Sequence, residues 1–101
     1  MDMTLYQSED YRLLVRAILS LETEQECAAF LEDLLTRREL ADMAQRMQVA
    51  DLLSRREVYS KIAQKTGAST ATISRVNRAY NYGPGGYATV LKRLNEENPK
   101  A

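Results

Sequence analysis

The chain has no histidine, no tryptophan and a single cysteine in its 101 residues. Without histidine there is no Ser-His or Cys-His pair to raise a nucleophile, and a conventional zinc cluster loses its nitrogen ligand. One cysteine cannot close an intrachain disulfide. Cys27 shares helical spacing with Phe30, Leu31, Leu34 and Leu35, so it reads as a buried apolar residue rather than a reactive thiol. No apolar run approaches the roughly 18 residues of a bilayer span. The opening MDMTLYQSED carries neither the basic nor the apolar part of a signal peptide. Glu32 and Asp33 are adjacent on a helix and face apart, and no glycine-rich phosphate loop accompanies them. The expectation is a cytoplasmic protein with no catalytic residues, no metal, no cofactor and no membrane partner.

What is present is the composition of one globular domain over residues 1–101, 45% hydrophobic and 28% charged. A chain of this length buries only about 60–65% of its unfolded surface, so its own core is modest and a second chain would add to it. Net charge is zero, but it is unevenly distributed. Residues 1–54 hold eleven acidic and five basic side chains, a net of −6. Residues 55–80 hold six basic side chains (Arg55, Arg56, Lys61, Lys65, Arg75 and Arg78) against Glu57 alone, a net of +5. Positive charge gathered on one segment is the electrostatic footprint of a nucleic-acid binder.

Periodicity gives an all-α protein of about six helices, with no period-2 pattern and no internal repeat. Ser8 caps the first helix, followed by Glu9 and Asp10 at its positive end. From Tyr11 to Leu21 that helix carries two stripes, one of Leu14, Ala17, Ile18 and Leu21 and another of Tyr11, Val15 and Leu19. A helix apolar on so much of its circumference must be covered on two sides, which points to a core shared between subunits. Thr23 with Glu26, and Thr36 with Glu39, have capping-box spacing and open the second and third helices, the third running to about Ser54. Leu40, Met43, Ala44 and Met47 stripe its first half, while Val49, Leu52 and Leu53 form a rotated stripe in the second. The segment 81–86, NYGPGG, reads as a turn, and a last helix runs from about Tyr87 to Asn95, with Pro99 at its frayed end.

The stretch from Tyr59 to Arg78 has the spacing of a helix-turn-helix. With Tyr59 as position one, the small residue at the crossing of two helices is Ala63, and the glycine for a left-handed turn is Gly67. Ile62, Ala68, Ile73 and Val76 take the inward places. Thr66 alone is less apolar than its place demands. Ser69 or Thr70 caps the second helix, which continues through Arg78 towards Tyr80. With Ile73 and Val76 inward, the outer face carries Ser69, Thr70, Ala71, Thr72, Ser74, Arg75 and Arg78. Thr70, Ala71 and Ser74 lie where base edges are read in a major groove, while Ser69, Thr72, Arg78, Lys61 and Lys65 suit phosphate contact. The leading reading is a sequence-specific regulator bound to double-stranded DNA. The competing one is a helical dimer that uses the same motif as a scaffold for a protein partner.

The run TGASTATISRVNR at 66–78, with LADMAQRMQVADLL upstream, resembles the Trp repressor-like family, most closely its YerC/YecD branch. The resemblance spans about Tyr11 to Leu94. It implies an all-helical, intertwined homodimer with a paired reading head on a palindromic operator, acting as a repressor. It also implies an effector site, in which two arginines sandwich the ligand of the Trp repressor. One corresponds to Arg75; the other falls on Gln45 or, with a one-residue shift, on Arg46. The family's glycine after the first arginine is Val76 here and its ligand-binding serine is Ala79. Both changes count against tryptophan as the small-molecule effector.

Overall fold

Side-chain caps decide where this chain becomes helical. The structure, a computed structural model, describes residues 3–97. Seven helices and no strand are found among them: α1 (Met3–Gln7), α2 (Glu9–Leu19), α3 (Glu24–Leu34), α4 (Arg37–Ser54), α5 (Tyr59–Thr66), α6 (Thr70–Tyr82) and α7 (Gly86–Glu97). Ser8 caps α2, its hydroxyl accepting from the Tyr11 N–H at 3.3 Å. Thr36 and Glu39 form a reciprocal box: the Glu39 N–H donates to the Thr36 hydroxyl at 3.1 Å, and the Thr36 N–H donates to the Glu39 carboxylate at 2.9 Å. That backbone donor holds the Glu39 carboxyl below its ordinary pKa. At α3 the box is shifted by one residue. Thr23 accepts from the Glu26 N–H at 3.0 Å, but the Glu26 carboxylate accepts from Glu22.

Three expectations are corrected. The count is seven helices among the described residues rather than about six, because α1 forms where the sequence shows no periodicity. There Tyr6 meets Tyr11 edge to face, with ring centroids 5.1 Å apart. α6 runs on to Tyr82, although Asn81 and Tyr82 read as turn residues. The Asn81 amide donates to the Asn77 carbonyl at 2.9 Å and to the Asn77 side-chain oxygen at 2.8 Å, which keeps it on the helix. Gly83 then ends α6, its N–H donating to the Ala79 carbonyl at 2.9 Å. α7 is longer than expected at both ends; Pro99 lies outside the described residues.

Backbone contacts divide the chain into two compact units, one ending at Leu40 and one beginning at Ala41. In the first, no residue from Leu5 to Leu40 is buried. Tyr11, Leu14, Ala17 and Leu21 are half-buried, and Leu13, Val15, Ile18, Leu19 and Leu34 are exposed. In the second, Val49 and Ala50 of α4 share a core with Ile62, Ala68, Ile73, Val76 and Leu91. Met47, Leu52, Leu53, Ala63, Tyr80 and Tyr87 pack around it. Ile62, Ile73, Val49 and Val76 are essentially sealed from water. Each stabilises this unit by roughly 1.5–3 kcal/mol relative to exposure. α4 thus carries two stripes as its sequence indicates. In the later one Val49 is buried and Leu52 and Leu53 are half-buried, while Met43 and Ala44 of the earlier one are uncovered.

Candidate nucleic-acid interface

The turn between α5 and α6 is fixed by four hydrogen bonds. Gly67 takes the left-handed conformation at φ 73° and donates its N–H to the Ala63 carbonyl at 2.9 Å, closing α5. Thr66, the odd residue of the motif, supplies two more. Its hydroxyl donates to the Ile62 carbonyl at 2.7 Å and accepts from the Ala68 N–H at 3.1 Å. A hydroxyl in this inward place serves the backbone of the turn where a purely apolar residue would not. The fourth bond is tertiary: the Gln45 side-chain amide donates to the Thr66 carbonyl at 3.2 Å, tying α4 to the end of α5. Ala68 is then buried at 5% exposure, and α6 begins two residues later.

Ser69 caps α6, accepting from the Thr72 N–H at 3.1 Å and donating to the Thr72 hydroxyl at 3.1 Å. Ile73 and Val76 pin the helix inward at 1% exposure each. Thr70, Ala71, Ser74, Arg75 and Arg78 are exposed on α6, as are Ser69 at its cap and Lys61 on α5. Two of the expected phosphate contacts also have partners within the chain. Thr72 is half-buried and bonded to Ser69, which places it on the flank of α6 rather than its outer face. Lys65 pairs with Glu57 across the start of α5 at 3.3 Å. The hydrogen bond from Lys65, with the charges of Lys65 and Lys61, holds the Glu57 carboxyl below its ordinary pKa. The single acid of the basic segment is therefore countered within the chain.

A polar cleft of about 210 Å3 opens between α4 and α6, lined by Asp42, Gln45, Arg46, Thr72 and Arg75. Gln45 and Arg46, the two alternatives for one position, both line it. The cleft is smaller than the roughly 300–1,000 Å3 of common ligand pockets. One N–H of the Gln45 amide already donates to the Thr66 carbonyl, and the Thr72 hydroxyl accepts from Ser69. The Gln45–Thr66 and Lys65–Glu57 contacts were not visible in the sequence, because they join residues 21 and 8 positions apart. The opposite charges of Glu57 and Lys65 were the one available signal.

Residues 9–95 match the family model described as Trp repressor protein. The chain belongs to the Trp repressor family. Within it the chain lies in the YerC branch: it is 45% identical over 83 residues to the YerC protein of Bacillus subtilis (strain 168), covering 82% of this chain and 80% of that one. The crystal structure of a TrpR-like protein from Eubacterium eligens ATCC 27750 superposes with a TM-score of 0.88 at 46% identity, covering 93% of this chain and 96% of that one. Trp repressor-like membership points to DNA-binding regulation of transcription, and the family is one of regulators rather than enzymes. No helix among the described residues is long and apolar enough to cross a membrane.

Proposed function

We propose that the protein is a cytoplasmic, homodimeric transcriptional repressor, a single Trp repressor-like domain per chain, which occupies a palindromic operator with α6 in the major groove. The exposed polar face of α6, seated on a sealed apolar seam inside the basic segment, carries this reading. Thr70, Ala71 and Ser74 are short side chains that suit close approach to base edges. A hydroxyl can donate or accept there, and a methyl can pack on thymine. Arg75, Arg78 and Lys61 supply charge for phosphates, with the Ser69 end of α6 directing its N-terminal dipole to the same strand. Lys65 is left out of this set in favour of its pairing with Glu57.

The dimer is proposed on the uncovered stripes of α2 and the first half of α4, which a second copy would bury. Tryptophan is not proposed as effector. The Val76 side chain fills its place at 1% exposure, Ala79 offers no hydroxyl, and the cleft beside Arg75 is narrow and polar. Selection of bound sequences from random duplex DNA tests the reading. The expected result is a pair of half-sites about one helical turn apart. Thr70→Ala should change discrimination at one or two base pairs by roughly 1–3 kcal/mol. Recovery of no enriched sequence would favour the scaffold reading instead.

A further inference from the structure

The turn between α4 and α5 ends in a backbone conformation that its residue does not favour. The Glu57 N–H donates to the Leu52 carbonyl at 3.1 Å, and the Arg56 N–H donates to the Leu53 carbonyl at 3.0 Å. This paired closure of a helix C-terminus puts the intervening residue in the left-handed region, where glycine is the usual occupant. Here the occupant is Arg56, at φ 61°, the one non-glycine residue with positive φ among those described. A side chain with a Cβ is strained there. Packing offers no compensation, because Arg56 is exposed.

The neighbouring charges are engaged inside the chain. Arg55 pairs with Asp51 at 3.3 Å, and Glu57 is drawn to Lys65. Arg56 makes no ion pair among the described residues. It stands three residues before α5, whose first turn carries the exposed Lys61. Val58, at the N-cap of α5, supplies no side-chain hydrogen bond to that turn.

Resting on the DNA-binding reading above, we propose that Arg56 is a phosphate contact of the operator complex, extending the protein's grip beyond the helix-turn-helix to the connection that precedes it. The left-handed backbone directs a guanidinium outward from a turn whose other charges are satisfied. Glycine would suit the turn better and would bring no charge. Stability and affinity therefore pull in opposite directions at this one residue.

Arg56→Gly and Arg56→Lys are compared with the unaltered protein by anisotropy titration of a fluorescein-labelled, mixed-sequence duplex of about 25 base pairs across a salt series, and by thermal melting. Arg56→Gly is expected to melt a few degrees higher and to bind about five- to ten-fold more weakly near 0.1 M salt, with the slope of log K against log salt reduced by about one. Arg56→Lys keeps the charge and should keep the slope. Affinity and slope unchanged in Arg56→Gly would overturn this contact while leaving the DNA-binding reading intact. Weaker binding accompanied by a lower melting temperature would assign Arg56 a structural part and overturn it as well. Unaltered protein that binds no duplex at all would overturn the DNA-binding reading and this contact with it.

Discussion

The residues up to Leu40 and those from Ala41 on are built with equally good local signals and come to different ends. Ser8, Thr23 and Thr36 cap helices as firmly as Ser69 does, each with a hydroxyl accepting a backbone N–H. Yet the first unit fully buries no residue from Leu5 to Leu40, whereas the second closes seven residues into a core. Helical propensity is thus not what separates them. Isolated helices of about eleven residues are marginal in water, and their stability comes from burying an apolar face. The second unit buries its faces within the chain. The first presents Leu13, Val15, Ile18 and Leu19 to solvent, the surface on which a second copy is proposed to pack.

Breaking that contrast has its largest effect in the first unit. Ile18 is 49% exposed, and a change at such a place in a self-sufficient monomer would shift stability by about 0.5 kcal/mol or less. On the dimer reading, Ile18→Asp puts a charge into an intersubunit core. The expected outcome is a monomer by sedimentation and a melting temperature lower by about 10 °C or more. An unchanged dimer and melting temperature would mean that α2 does not lie at the subunit boundary. In the second unit the ordinary rules of a closed core apply. Ile73 is 1% exposed, and Ile73→Ala should cost about 2–5 kcal/mol in denaturant unfolding while leaving the subunit count unchanged. If Ile73→Ala dissociated the subunits as readily as Ile18→Asp, the distinction between the two units would fail.

The sequence made the helix-turn-helix legible because its signals are local. The bounds of α5 fall at Tyr59 and Thr66 as the spacing indicates, and the glycine placed at the turn is left-handed. The inward residues are the buried ones. What surrounds a side chain once the turn has formed is less legible. Lys65 has Glu57 beside it only in the folded chain, and Thr72 is half-buried beside the Ser69 cap. Asn81 is of a type that favours turns, yet its amide, donating to Asn77 one turn back, prolongs the helix. α1 is not legible in the sequence, because a single edge-on pair of tyrosines leaves no periodic trace.

The smallest expected effect concerns what makes the second unit rigid at its reading end. Apolar packing fixes how far α5 and α6 are sunk into the core, but it is a poor constraint on rotation of the turn between them. The Gln45 bond to the Thr66 carbonyl supplies a direction, holding the end of α5 against α4. Gln45→Ala removes that donor from a half-buried site and should cost about 1 kcal/mol, the net worth of one such bond. The more telling readout is hydrogen exchange at Gly67 and Ala68, whose N–H groups are bonded in the turn and which should speed up while exchange at Ile73 and Val76 scarcely changes, because the core beneath is untouched. An equal acceleration at all four amides would show that α5, the turn and α6 open as one piece. Unchanged exchange at the turn would show that Gly67 and Thr66 fix it without help from α4.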